Sequence, residues 1–311
     1  MASLVLFRIS RAVLLLFLLS LAAFSLSRAM PGDITTDLMM EPGMSPETLQ
    51  ALRKSYYLDR SLAEQYFGWL NHVIRGDLGY SPVERRPVAD LLGTHLKRTI
   101  GLATLTMILT AAASLVLSVI FPPAGGRIRL IDATLLPFVL AVPTVLTALL
   151  VRWIKLNATT TRHYEVDTAL SQFENYLWPS LALAIPLAAY MARQLRREIR
   201  GILLLQYYIT AESKGLNKLG LSVHLTRPLL PFLLNLIGVL FSSLIAGAVV
   251  AETVFDFRGI GLLALEAVLN RDTFLLVATI LAACGLVIAI NLLVDLLVVW
   301  ADPRLRKSTV S

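Results

Sequence analysis

Long apolar runs separated by polar stretches set the plan of this chain. The first run covers residues 12–29 and follows a short basic start with Arg8 and Arg11. Further runs cover residues 100–121, 130–153, 176–192, 229–251 and 274–300. A bilayer core needs about 20 consecutive apolar residues in helical form, so the pattern predicts six transmembrane helices. Residues 31–98 are polar by contrast and show helical periodicity in shorter pieces. Ser45, Pro46 and Glu47 have the form of a helix start, and Leu49, Leu52 and Tyr56 follow at spacings of three and four. Residues 61–74 repeat the pattern with Leu62, Tyr66, Trp69, Leu70 and Val73 on one face. Residues 90–97 lead into the second run. Prolines fall inside several runs, at Pro137, Pro143, Pro179 and Pro186. Membrane helices tolerate them when neighbours satisfy the freed carbonyls.

The expected organisation is therefore a first transmembrane helix in 1–30, a small helical insert in 31–98, and a core of five further helices in 99–311. A long basic loop at 193–228 interrupts the core. An uncleaved first helix is expected over a signal peptide, because Arg28-Ala29-Met30-Pro31 is a poor small-residue cleavage site.

Composition supports the membrane class. Of 311 residues, 56% are hydrophobic and 16% charged, against about 25% charged in ordinary soluble domains. Mean hydropathy is +0.70. The net charge of +7 raises the question of nucleic acid, and its distribution answers it. The start, 122–130, 193–228 and the tail hold fourteen Lys and Arg with three acids; the opposite side holds fourteen with sixteen acids. Excess Lys and Arg in short loops marks the cytoplasmic side. Both termini and the 193–228 loop are thus expected in the cytoplasm and the insert outside it. No nucleic-acid partner is expected, and membrane lipid is.

The search for chemistry excludes more than it finds. The single cysteine, Cys284, allows no disulfide within the chain. His72, His95, His163 and His224 are scattered without metal-ligand spacing. No phosphate-binding glycine loop or nucleophile elbow occurs. No catalytic residues, no metal and no cofactor are expected on this chain. Ion-coupled carriers place ionisable groups at bilayer depth, and only Asp295 lies well inside a run, with Asp132 at the edge of another. Energy is then expected to come from a partner. Residues 206–214 read as a short helix in the basic loop, stopped by Gly215. Tyr208, Ala211 and Gly215 share a face, and a small residue in its middle suits a groove on another protein. A helix lying on lipid headgroups fits the spacing equally.

Residues 208–216, Tyr-Ile-Thr-Ala-Glu-Ser-Lys-Gly-Leu, followed by His224, Pro228 and Pro231, resemble the coupling loop of ABC-importer permeases. The B-type permease of oligopeptide, dipeptide and nickel importers is the nearest likeness. Pro31-Gly32-Asp33, Leu58-Asp59-Arg60, Gln65-Tyr66 with Trp69, residues 76–81, Arg98-Thr99, Glu252-Thr253-Val254-Phe255, Gly259-Ile260-Gly261, residues 291–295 and Asp302-Pro303-Arg304 extend it along nearly the whole chain. The resemblance implies a type I importer permease fold, in the bacterial inner membrane, acting as half of a translocation path for peptides or a related small solute. It implies as partners a second, C-type permease, two cytoplasmic ATPases that carry ATP and Mg, and an extracytoplasmic substrate-binding protein. Tyr208, Thr210, Ala211, Glu212, Lys214, Gly215 and Leu216 would couple to the ATPase. Glu252, Thr253, Gly259 and Gly261 would shape an outer gate. The segment from Gly215 to Pro231 is shorter than the family's usual form and lacks arginines before its histidine. A self-sufficient channel or secondary carrier is the alternative expectation.

Overall fold

A computed structural model describes residues 2–29, 47, 59–120, 136–159 and 169–301. The expected helix at Ser45–Tyr56 apart from residue 47, the turn at 122–127, Asp132, and the tail from Asp302 lie outside the described residues. The elements are α1 (Ala2–Ala29), α2 (Leu62–Ile74), β1 (Tyr80–Ser81), β2 (Arg86–Pro87), α3 (Val88–Ile120), α4 (Leu136–Ala141), α5 (Thr144–Thr159), α6 (Ala169–Leu203), α7 (Gln206–Ser213), α8 (Lys218–Phe255), α9 (Ile260–Leu269) and α10 (Thr273–Ala301). Among the described residues four helices, α1, α3, α8 and α10, are long and apolar enough to cross a bilayer.

Several boundaries differ from the sequence reading, each for a physical reason. The third run, expected as one helix over 130–153, is broken in its described part. Pro143 lacks the N–H that would bond backward, so α4 stops at Ala141 and α5 starts at Thr144. The fourth run, 176–192, is the middle of a 35-residue helix, α6, which accommodates Pro179 and Pro186. The 193–228 stretch is mostly helical. Its Arg193, Arg196, Arg197 and Arg200 belong to the end of α6, and its last eleven residues start the 38-residue α8. At 1.5 Å per residue, α8 is about 57 Å long and α3 about 50 Å, both well beyond a ~30 Å hydrocarbon core. The apolar runs therefore underestimate their helices. The insert is not wholly helical either: β1 and β2 pair antiparallel, Tyr80 opposite Pro87 and Ser81 opposite Arg86. Strands of two residues leave no periodicity to read.

The chain divides into two compact units that do not follow the sequence order of the expected segments. One comprises Ala2–Thr99 with Arg258–Ile288, the other Ile100–Phe257 with Ala289–Ser311.

In the first unit, α2 begins with a capping box: the Ser61 side chain accepts from the Glu64 amide, and the Glu64 carboxylate accepts from the Ser61 amide. The buried face of α2 meets α1 through aromatic edges. Phe24 and Tyr66 lie 5.5 Å apart, ring centre to ring centre, with Trp69 beside them. The Tyr66 and Ser20 hydroxyls share a buried hydrogen bond of 2.7 Å. A second core joins Val88, Leu91 and Leu92 of α3 to Leu263 and Ala267 of α9 and Leu275 and Leu276 of α10. Thr99 closes the start of α9, accepting from the Ile260 amide at 2.8 Å in a buried contact.

Ser81 of β1 donates to the Asp272 carboxylate at 2.6 Å. Asp272 also accepts from the Leu275 amide at 3.1 Å, so it caps α10 while holding the hairpin. Its carboxyl is pushed above its ordinary value, chiefly by burial, with Glu84 adding to the effect; the bonds from Ser81 and Leu275 oppose it.

In the second unit, α6 and α8 lie along one another and α5 packs on both. Leu102, Leu183, Ala248 and Ala251 form one core layer, closed by Phe257 on Tyr176. Met191, Leu236 and Leu240 form another, and Leu195, Ile202 and Leu229 a third. Small residues sit where helices cross: a Cβ on Gly247 would meet Leu183 at 3.3 Å. The Arg152 guanidinium donates to the Val254 carbonyl, which gives this cation of α5 a backbone partner.

Candidate functional site

The short helix α7 stands between the ends of α6 and α8. Leu204 and Leu205 turn the chain out of α6, and α7 follows at Gln206. Its C-terminus closes by two backbone bonds. Gly215 N–H donates to the Glu212 carbonyl at 2.9 Å and Leu216 N–H to the Ala211 carbonyl at 3.5 Å. This is a Schellman closure, which needs a left-handed residue at its corner. Gly215 supplies it with φ of +73°. A Cβ there would meet open space, so glycine is required for its backbone, not for room. Asn217 then caps α8, accepting from the Gly220 amide at 2.8 Å.

Two contacts pin α7 to its own chain. Tyr208 is half-buried on the Leu195, Ile202 and Leu229 layer. The Tyr207 hydroxyl donates to the His224 carbonyl at 3.3 Å. Ala211 is also buried, 5% exposed. This corrects one expectation: the small face centred on Ala211 is not the outward one. Ala211 is small because α7 lies close against the chain that carries it. The outward face is the opposite one, with Gln206, Ile209, Thr210, Glu212 and Ser213 exposed. Of the seven residues expected at this contact, Thr210, Glu212, Lys214, Gly215 and Leu216 are exposed. The Thr210 hydroxyl is turned back on the helix, donating to the Gln206 carbonyl at 2.8 Å.

The four residues expected at an outer gate divide between the compact units. Glu252 and Thr253 belong to the second, Gly259 and Gly261 to the first. Glu252 is fully buried, and its carbonyl receives the Phe257 N–H at 2.8 Å where α8 ends through a left-handed Asp256. The Thr253 side chain is exposed, its hydroxyl donating to the Val249 carbonyl. Gly259 and Gly261 are buried, Gly259 as the cap position of α9.

The second unit also sets Asp295, already marked out in the sequence, among uncharged polar groups that counting charges passes over. Asn235, Gly238, Val239 and Ser242 of α8 face Asn291, Val294 and Asp295 of α10 across a cavity of about 390 Å³. Asn291 donates to the Ser242 hydroxyl at 3.3 Å. A Cβ on Gly238 would lie 2.9 Å from the Asn291 carbonyl oxygen, so the helices cross closely there. Asn235 and Ser242, seven apart, and Asn291, four before Asp295, are the signal that a search for polar residues in apolar runs would have caught.

Residues 115–307 match the family described as binding-protein-dependent transport system inner membrane component, and residues 1–103 match the N-terminal part of such membrane components. The chain belongs to this family of inner-membrane transport components. A Brucella abortus (strain 2308) protein, provisionally named a peptide transport system permease protein, is 31% identical over 98% of this chain and 99% of its own length. The glutathione transport system permease protein of an Escherichia coli strain is 29% identical over 94% of each chain. A nickel import system permease protein of Staphylococcus aureus is 27% identical over 97% of this chain and 91% of its own. As a family member with four bilayer-length apolar helices, the chain is a multi-pass inner-membrane protein with a transport role.

Proposed function

We propose that this chain is one permease subunit of an ATP-driven importer and provides half of its translocation path. Its cargo is a peptide or a related small solute, with nickel or a metal chelate included in that class. The peptide, glutathione and nickel transport names of its relatives support this range. In this reading six helices cross the membrane, both termini lie in the cytoplasm, and the 31–98 insert lies outside. The fold described above fits that plan with α1, α3, α8 and α10 as spans. The α4–α5 pair and the middle of α6 supply the other two. A second, C-type permease completes the path, a binding protein delivers cargo from outside, and two cytoplasmic ATPases, loaded with ATP and Mg, drive it.

The observation that carries this reading is α7. It is an eight-residue helix, fixed on one side by Tyr207, Tyr208 and Ala211 and polar and exposed on the other. It follows α6, whose C-terminal part carries Arg193, Arg197 and Arg200, in the stretch that the charge distribution assigns to the cytoplasm. A rigidly seated helix with a free face can transmit a push from a bound ATPase to α6 and α8. In this reading Thr210, Glu212, Lys214, Gly215 and Leu216 touch the ATPase, while Tyr208 and Ala211 transmit the force.

Gly215→Trp tests it. The substitution forces a bulky side chain into a left-handed corner and into open space. ATP-dependent uptake should fall at least about tenfold, equivalent to ~1.4 kcal/mol of coupling, while membrane insertion is unchanged. Uptake equal to the unsubstituted complex would contradict the role of α7.

A further inference from the structure

In the first unit the hairpin and the start of α3 border a shallow cavity of about 580 Å³, lined by Arg86, Asp90, Gly93, Thr94, Lys97 and Arg98. Three of these are cations and one is a carboxylate. Asp90, Gly93, Thr94 and Lys97 fall on one face of α3 at steps of three and four. A Cβ on Gly93 would meet open space, so the middle of that face stays hollow. Arg86 comes from β2, and the hairpin that presents it is held in place. Ser81 pairs with Arg86 across the ladder and donates to Asp272, and the Val88 amide donates to the Gly79 carbonyl at 3.0 Å.

The charge of the cavity is local. The side of the chain that holds the insert carries fourteen Lys and Arg against sixteen acids. Excess cations belong on the cytoplasmic side, so three around one cavity on the other side need a cause of their own. Among the described residues none of Arg86, Lys97 and Arg98 forms a salt bridge. All three are exposed.

The position along α3 gives the depth. The apolar run starts at Ile100, and Ile100, Ile108 and Leu115 are exposed on the same helix, as a face against lipid requires. Lys97 stands three residues earlier, about 4.5 Å nearer the water. The headgroup layer adds roughly 5–8 Å on each side of the hydrocarbon core. Lys97 and Arg98 therefore lie at phosphate level, and their long stems let the charges reach outward toward Thr94.

We propose that this cavity binds the headgroup of an anionic phospholipid, phosphatidylglycerol, with its phosphate on Lys97, Arg98 and Arg86 and its glycerol hydroxyls toward Asp90. The volume is that of a small-molecule site, and a hollow lined by cations suits one phosphate better than the broad surface of a protein. Bound lipid ties the hairpin, and through Ser81 and Asp272 the start of α10, to the membrane surface. The site requires that α3 crosses the membrane and draws nothing from the permease reading or its cargo.

The test uses the whole complex, with both permeases and both ATPases, in detergent. Native mass spectrometry counts the lipid held by this chain after its ejection from the complex. The probes are dioleoyl phosphatidylglycerol, dioleoyl phosphatidylethanolamine and glycerophosphoglycerol, which is the headgroup without acyl chains. Phosphatidylglycerol should bind at least about tenfold more tightly than phosphatidylethanolamine. Lys97→Gln and Arg98→Gln should each weaken it about fivefold, or ~1 kcal/mol, and Lys97→Arg should retain it, with every complex still co-purifying.

Equal binding of the two lipids would overturn the proposal, as would binding of phosphatidylglycerol that neither Gln substitution weakens. Displacement of the lipid by glycerophosphoglycerol at matching concentration would mark an aqueous anion site and refute the lipid. Weaker association with the binding protein in Arg98→Gln, at an unchanged lipid count, would assign the cavity to an acidic protein surface instead.

Discussion

Ser81 and Asp272 show what a single pair of residues does here. The Ser81 hydroxyl is fully buried and bonded to a carboxylate that is 1% exposed. Ser81→Ala removes a donor from that buried carboxylate, and leaving such a group underserved costs about 1–3 kcal/mol. The midpoint of thermal unfolding of the purified protein should fall accordingly. The pH dependence has a definite sign. Burial raises the Asp272 carboxyl above its ordinary value, so the folded protein holds that proton to higher pH than the unfolded chain does. The stability gained is complete below the ordinary carboxylate value near 4 and is lost as pH rises through the raised value. Asp272→Asn should flatten this part of the stability profile, and a profile unchanged by the substitution would refute the assignment.

Ser81 closes the 76–81 stretch that carries part of the resemblance, but nothing in the sequence pointed to Asp272 or to the pair. They lie 191 positions apart, and no local pattern links a two-residue strand to a helix cap. Gly215 was legible, because a helix stop needs a left-handed residue and glycine is the cheapest one.

At the scale of elements, α7 separates two kinds of substitution. Ala211→Leu adds bulk on the buried face, and overpacking of that kind costs about 1–3 kcal/mol. It should lower the thermal stability of the isolated chain. Glu212→Lys changes only the exposed face and should leave thermal stability within about 0.5 kcal/mol, yet weaken co-purification of the ATPases. If Ala211→Leu left stability untouched while Glu212→Lys unfolded the chain, the two faces of α7 would be reversed.

The sequence located this helix nearly to the residue and misjudged which side faces out. Helical spacing says which residues share a face, and Tyr208 and Ala211 do. It cannot say whether that face meets a partner or the same chain, because Ala and Tyr serve both. The long helices were legible as apolar runs, which are fixed by the thickness of lipid. Their polar ends lay beyond those runs, although in α6 the spacing of Leu195, Ile199 and Ile202 carries the helix past its run. The break at Pro143 was visible as a proline, but Pro179, Pro186, Pro228 and Pro231 sit within helices in this same chain. Only packing decides between a kink and a break.

For the whole molecule, the division into two compact units lay beyond the sequence. Ala2–Thr99 joins Arg258–Ile288 in one unit, although more than 150 residues separate the two segments; the packing of Val88, Leu91 and Leu92 on α9 and α10 brings them together, with the Ser81–Asp272 and Thr99–Ile260 bonds. The proposed supply of energy from outside this chain is supported by a helix with one buried and one exposed face in a family of binding-protein-dependent transport components. The direct measurement is uptake into proteoliposomes containing this chain and its partner permease, with and without the two ATPases, at fixed binding protein and cargo. Uptake is expected only when the ATPases and ATP are both present, and is lost with Gly215→Trp. Concentrative uptake by the permeases alone, driven by an ion gradient and indifferent to ATP, would contradict it.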